Sequence, residues 1–341
     1  MKILAIDIGA GTQDIMVYNE ARGFDAAYKL VLPSPSRIFA EEVRRTHENL
    51  VIFGDTMGGG GFSRAILEHL ATYKVYMTAQ AARTIRDDLE IVKGYGIEII
   101  TEDEIEQLSE EAAPMKISDL NLQLLAFLSS FGVDTDFDVL AIAVQDHGVA
   151  PQGVSDRENR FRLLEEKVGS GLESFAYLDG VPEHLSRMHS IFRSVKRWYE
   201  GHILLMDTGP AAVLGSLEDE RVNGKKKVLC INVGNAHTIA MSLNEGRIAG
   251  IFEHHTHLLD KPKLESYVTK LAEGTLTFKE VFEDGGHGAL VREENHPELI
   301  AVTGPQREKM RGLGIFAVPA GDMMMTGPVG LIKAVQSLLK S

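Results

Sequence analysis

The sequence predicts an α/β protein of two related domains, and three observations carry that expectation. Apolar strand-like runs alternate with helix-like segments along all 341 residues, the pattern of strands covered by helices. At roughly 150 residues per domain, this length accommodates two cores. A strand–glycine turn–strand unit also recurs. Leu4–Tyr18 (LAIDIGAGTQDIMVY) overlays Leu229–Leu243 (LCINVGNAHTIAMSL) without a gap at an offset of 225, with Leu4/Leu229, Gly9/Gly234 and Met16/Met241 identical. A repeat at this spacing implies two domains whose glycine turns face one another across a cleft.

Composition narrows the class. Hydrophobic residues make up 44% and charged residues 25%, with 33 Gly and 11 Pro, an ordinary globular balance. The net charge, 35 − 49 = −14, argues against wrapping a nucleic-acid backbone. An anionic ligand would then need backbone N–H groups or a metal ion to offset the acidic field. The single cysteine, Cys230 in the apolar run VLCINV, reads as a packed core thiol. One cysteine makes no internal disulfide and holds no iron–sulfur cluster, which excludes radical-SAM chemistry. No apolar run approaches the ~20 residues of a membrane span. MKILAIDIG enters a strand at once, so a cytoplasmic protein without membrane contact is expected.

The elements follow in order. Residues 3–8 (ILAIDI) are apolar except for Asp7, as in a strand buried on both faces. After Gly9-Ala10-Gly11-Thr12, the segment Gln13–Tyr18 is again β-rich, so this turn joins two strands. In a dinucleotide fold it would open a helix. An inserted α/β segment spans about 50–115: strand Leu50–Phe53, the loop Asp55–Gly61, a helix near 63–73, strand Lys74–Met77, a helix over 78–92 and strand Gly96–Ile100. Residues 102–111 read as an acidic solvated face. Leu120–Phe131 reads as an apolar helix, Val139–Val144 as a buried strand, and 151–160 as a polar loop. Arg187–Glu200 is expected as a helix whose Arg187, Arg193, Lys196 and Arg197 form a solvated basic face. Strand 202–206, turn Asp207–Pro210 and helix 211–218 then lead into strand 228–233 and the second glycine turn. Expected boundaries are 1–186 for the first domain, 187–325 for the second, and 326–341 for a C-terminal helix packing back toward the first domain.

These motifs resemble the actin-like ATPase superfamily of actin, heat-shock chaperones and sugar kinases. Asp7–Ile15 looks like its first phosphate motif and Asn232–Thr238 like its second. Asp207-Thr208-Gly209-Pro210-Ala211-Ala212-Val213-Leu214-Gly215 looks like its connecting strand–turn–helix. Ile300–Pro305 resembles the strand and turn that meet adenosine, and Ala320–Val335 the closing helix, with an unusual Met323-Met324-Met325 run. At whole-chain level the sequence resembles an uncharacterised family of this superfamily, some members of which carry a pyruvate formate-lyase activating label. The resemblance implies two actin-like (ribonuclease H-like) domains with a nucleotide cleft between them, ATP and Mg²⁺ as cofactors, and a small-molecule substrate. It is compatible with a homo-oligomer. Asn232 departs from the Asp usual at the second turn, and Gly304-Pro305 from the usual Gly-Gly.

The resemblance and the residue chemistry together give a candidate site. Gly9, Gly11, Thr12, Gln13, Gly234, Asn235 and Thr238 would cradle phosphates, with Asn232 beside them and Gly304 near adenosine. Asp7 would hold Mg²⁺ through water, the alternative being a turn-capping carboxylate. Asp207 is the candidate base for phosphoryl transfer, or a helix N-cap; Asp146 is the runner-up. The glycine loop with Asp55, Thr56, Gly58 and Gly59 reads as an anion subsite or as a hinge, and His147 as lining the substrate pocket. On a strand, Glu253, His255 and His257 share one face, a spacing suited to a divalent metal or to an exposed loop. Three functions follow: an ATP-dependent small-molecule kinase or ATPase, a nucleotide-dependent regulator or assembly switch without turnover, and a metal-dependent enzyme built on the histidines.

Overall fold

The structure, a computed structural model, describes residues 1–340. The chain opens with an antiparallel meander of β1 (Lys2–Ile8), β2 (Thr12–Asn19) and β3 (Tyr28–Pro33). Then β4 (Leu50–Gly54), β5 (Val75–Thr78), β6 (Glu98–Ile100) and β7 (Ala113–Ile117) form a separate parallel sheet with its own apolar core. The chain returns to the first sheet through β8 (Val139–Val144), β9 (Ala176–Leu178) and β10 (His202–Met206), giving the order β3-β2-β1-β8-β10-β9. The second sheet uses β11 (Lys227–Val233), β12 (His237–Asn244), β13 (Arg247–His255), β14 (Gly288–Val291), β15 (Leu299–Thr303) and β16 (Ile315–Phe316). Its order is β14-β13-β12-β11-β15-β16.

Both sheets therefore contain the same core: an antiparallel three-strand meander whose first strand is followed, on its other side, by two parallel strands in succession. The repeat seen in the sequence holds to the residue. Residues 2–8 and 12–19 of the first hairpin become 227–233 and 237–244 of the second, and Lys2↔Asn19 corresponds to Lys227↔Asn244. Two ribonuclease H-like units in tandem make this an actin-like fold.

Strand alternation builds the layers. On β1, Ile3 and Ala5 enter a core shared by both units, whereas Leu4, Ile6 and Ile8 face an outer core of the first unit. On β11, Val228 and Cys230 enter the shared core, whereas Leu229, Ile231 and Val233 face the second unit's outer core. Asp7 and Asn232 consequently end their strands on the inner faces. Between the sheets lie two helices, Thr208–Ser216 and Thr326–Lys340. The latter packs on β1, β2 and β8 of the first unit.

Three expectations need correction. The boundary at 187 falls too early, because β10 pairs with β8 and the first sheet extends to Met206. The second half of the loop expected at 151–160 belongs to a helix, Asp156–Glu165, capped by Ser155. Its buried face includes Asn159 and Arg160, so no apolar stripe marks it. The helix expected over 78–92 is two short helices, Ala79–Ala82 and Leu89–Gly94, the second capped by Asp88.

The two central helices touch through glycine. A Cβ added at Gly215 would lie 1.8 Å from Thr326 O, and one at Gly330 would lie 1.8 Å from Ala211 O. Backbone meets backbone, so neither side can yield by rotating a side chain. Gly215→Ala is expected to cost about 1–3 kcal/mol or more, measured as a lowered urea midpoint; an unchanged midpoint would show that the helices can separate freely.

Candidate functional site

The carboxyl ends of β1, β8, β10, β11 and β15 converge on one cleft of about 680 Å³ between the units. This is where open α/β sheets bind ligands. Asp7 closes β1, Asp146 and His147 follow β8, Asp207 follows β10, Asn232 closes β11 and Gly304 follows β15. Each of these lines the cleft, as do Gly9, Thr12, Gly234 and Asn235.

The two glycine hairpins face each other. Each closes on itself, Gly9 N–H donating to Thr12 O and Gly234 N–H to His237 O, both at 2.9 Å. At the tips, the amides of Ala10, Gly11, Asn235 and Ala236 donate to no acceptor among the described residues. A Cβ at Gly11 would fall 2.5 Å from Asn235 Nδ2, so the two tips meet there, and a larger residue would displace the exposed Asn235 side chain. Gly304 has φ +95°, and a Cβ there would lie 2.5 Å from Val233 O and 2.6 Å from Asn232 Oδ1. Alternation turns two of the expected ligands away. Gln13 donates its Nε2 to Pro33 O at 3.0 Å, and buried Thr238 pairs with Thr256 Oγ1 at 3.0 Å. Both lie behind the hairpins and hold neighbouring strands.

Asp7 forms the floor between the two central helices. Thr208, the first residue of its helix, donates Oγ1 to Asp7 Oδ1 at 2.5 Å. Gly327, in the first turn of the other, is so close that a Cβ would lie 1.9 Å from Asp7 Oδ2. Opposite Asp7 on β2 is Asp14, whose Oδ1 accepts no hydrogen bond among the described residues. Burial, with the nearby Asp207 charge, raises the Asp7 carboxyl to about 7, although Thr208 and Arg187 oppose the shift. Burial and Asp7 raise Asp14 to about 8. Neither carboxylate has an ion-pair partner within 4.0 Å among the described residues. Two such carboxylates beside free amides fit a hydrated divalent cation, which keeps most of its waters and takes one or two carboxylates.

Both candidate bases are committed elsewhere. Asp207 caps its helix by accepting from Gly209 N–H at 3.2 Å. It also holds Arg160 in a fork, Nη1 to Oδ2 at 2.5 Å and Nη2 to Oδ1 at 3.0 Å. The same guanidinium donates Nε to Glu253 Oε2 at 2.9 Å and Nη1 to Asp146 O at 3.1 Å. Arg160 and Glu253, which sequence reasoning missed as a pair, are 3% and 2% exposed. Burial opposes the Arg160 charge, but the two carboxylates outweigh it and raise its pKa. Burial also raises Glu253, but Arg160 with His287 and His237 brings it well below the usual carboxylate range. Asp146 accepts from Gly148 N–H at 2.8 Å and Met188 N–H at 2.9 Å, while burial raises its pKa.

The glycine loop is tied down. Thr56 N–H donates to Ser190 Oγ, Met57 N–H to Thr84 Oγ1 and Gly58 N–H to Asp119 Oδ1, so these amides are not free for an anion. Thr56, Gly58 and Gly59 line the cleft, whereas Asp55 accepts from Ser118 outside it. Arg187 is not on a solvated face: it forks onto Asp119 at 2.7 and 2.8 Å and donates to Gln145 O at 3.0 Å.

The histidines regroup. His255 lines the cleft, but His257 leaves the strand in a 3₁₀ turn and is exposed. The group that gathers is His147, His237 and His287. Burial pulls His237 down to about 4 and His287 to about 3, and pulls His147 well below its usual value, so all three are neutral at pH 7.

Two outcomes test this geometry. Arg160→Leu leaves two buried carboxylates facing each other and is expected to cost about 3–5 kcal/mol in urea unfolding; a cost below about 1 kcal/mol would show that the fork contributes little. The raised Asp7 pKa means the folded state prefers the protonated acid, so its contribution to stability falls as pH rises from about 4 to about 7. In buffer free of divalent ions, Asp7→Asn should gain on wild type by about 1–4 kcal/mol between pH 4 and pH 8. Equal pH profiles for the two proteins would contradict it.

The comparisons with known proteins bear on this architecture. No curated protein matches the sequence significantly. A protein with actin-like ATPase fold and unknown function from Bacteroides thetaiotaomicron aligns at 8% identity and TM-score 0.36, covering 96% of this chain and 95% of that one. The activator of 2-hydroxyisocaproyl-CoA dehydratase from Clostridium difficile, with bound ADPNP, aligns at 10% identity and TM-score 0.33, covering 100% and 98%. A ROK hexokinase from Thermus thermophilus aligns at 14% identity and TM-score 0.23, covering 73% and 47%. The chain thus spans about half the length of the kinases it matches. Residues 57–309, most of the chain, match the model of a family described as "Putative pyruvate format-lyase activating enzyme (DUF1786)". The chain belongs to this family.

Proposed function

We propose that the protein binds a magnesium-chelated nucleoside triphosphate, ATP by its superfamily resemblance, between the two units, and that it catalyses phosphoryl chemistry there. The observation that carries this reading is the pair of facing hairpin tips, whose unpartnered amides lie above a carboxylate floor where two helix N-termini converge. Amides and helix N-termini attract phosphate oxygens, and Asp7 with Asp14 supplies the anchor for a hydrated cation. Magnesium, when bound, would neutralise charge on the transferring phosphoryl group. The chain's own residues orient the polyanion, with Thr12 adding a hydroxyl and Gly304 leaving room for the nucleoside side.

Hydrolysis is favoured over transfer to an alcohol. The carboxylate at the position where sugar kinases place their base, Asp207, is held in a fork by Arg160, and Asp146 is spent on two amides. A small-molecule acceptor would therefore need Asp207 released. Asn232 in place of Asp supports a second reading, a nucleotide switch with slow turnover. The activity named in the family description finds no support in the residues: Cys230 is the sole cysteine, fully buried, with its thiol pushed up to about 12 by burial.

Calorimetry of the full chain with Mg²⁺–ATP is the test, with a Kd below about 1 mM expected. Asp7→Ala should abolish binding while circular dichroism shows a retained fold. Unchanged affinity in that variant, or no heat at millimolar nucleotide, would remove the assignment. Phosphate release then separates an ATPase from a switch.

A further inference from the structure

The cleft contains donors that phosphoryl chemistry leaves unused. His147 follows β8 of the first unit, His237 opens β12 just after the second hairpin tip, and His287 precedes β14. One ring nitrogen from each lies within 4.8 Å of the others. His287 is wholly buried, and neither of its ring nitrogens meets a partner among the described residues; nor does Nδ1 of His237. A neutral imidazole carries one donor and one acceptor, and buried polar groups are normally satisfied. Unsatisfied nitrogens on converging rings therefore require an explanation.

The surrounding chain is built to hold them there. His287 sits in Gly285-Gly286-His287-Gly288, where a Cβ at Gly286 would lie 2.5 Å from His254 Cδ2 and one at Gly288 2.5 Å from Phe278 Cδ2. Its backbone is fixed on both sides, His287 N–H donating to Glu253 O at 2.9 Å and Arg157 Nη1 to Gly286 O at 2.6 Å. The local charge suits a cation: Arg160 repels one, but the two carboxylates it pairs with, Asp207 and Glu253, leave a net charge of −1 in the ion network. His255 packs at the edge with its ring tilted, its centroid 4.7 Å from that of His287 and 4.9 Å from that of His237.

We propose that His147, His237 and His287 bind a divalent transition-metal ion of the zinc or iron(II) class, distinct from the magnesium of a nucleotide, with its remaining coordination position open to the cleft. Imidazole nitrogens suit such ions, whereas magnesium takes oxygen. Three protein ligands with a free position is the arrangement of a reactive centre, while structural zinc sites close with four. The open position accepts water or an oxygen of a cleft-bound anion. Ligands come from both units, so the ion also ties them together.

The test uses the full chain without nucleotide, so its outcome is independent of the reading above. Chelator-stripped protein titrated with Zn²⁺ or Co²⁺ and desalted should retain one ion per chain, gain in Tm, and with Co²⁺ show the visible absorption of a four- or five-coordinate centre. His287→Gln and His147→Gln should weaken binding by about 100-fold or more, whereas His257→Gln should leave it unchanged. His147 lies in a loop beside the cleft, so its variant decides the matter if the buried His287 variant misfolds. No retained ion in wild type, or equal affinity in His147→Gln and His257→Gln, would overturn the proposal.

Discussion

The structure depends on one close approach, the reciprocal contact of Gly215 with Thr326 and of Gly330 with Ala211. Without Cβ atoms at these positions, two helices buried between the sheets touch through their backbones. That contact brings Thr208 and Gly327 to opposite oxygens of the same carboxylate. Asp7 is thus held by the first turns of two helices belonging to different parts of the chain, and the cleft above it inherits their positive ends. Larger residues would move the helices apart, and Asp7 would lose one of its two neighbours.

A second constraint is electrostatic. Arg160 reaches from the helix Asp156–Glu165 into the second sheet and holds Asp207 and Glu253 together. Such a buried network is satisfied only when all members are in place, so it fixes how the units meet behind the cleft. Arg157, from the same helix, holds the loop before β14 through Gly286 O. This one helix connects the units at two points, and its polar buried face is why it resembles a loop in sequence.

Much of the fold was legible in the sequence because it is written in periodicity. The buried strands are continuous apolar runs, and the repeat at offset 225 located both hairpins to the residue. The apolar run broken only by Asp7 marked β1, and the turn chemistry put Gly9 and Gly234 at the bends. Tertiary pairing was not legible. Nothing local shows that Asp207 is forked onto an arginine 47 residues earlier, or that His147, His237 and His287 meet from three separate parts of the chain. The strand spacing that suggested His255 and His257 failed because the strand ends at His255. A signal for His287 was present, since four residues with three glycines around a histidine imply a tight backbone path with one functional side chain.

The matched hairpins have one further consequence. At the offset of 225, Thr12 corresponds to His237 and Asp7 to Asn232, so the duplicated halves have diverged in donor chemistry while keeping the same register. One bend retains oxygen donors preferred by hard cations, and the other presents nitrogen preferred by softer ones. On the two proposals above, one cavity would offer a hard cation the carboxylates below the first bend, and a softer ion an imidazole from the second bend joined by His147 and His287 from other elements.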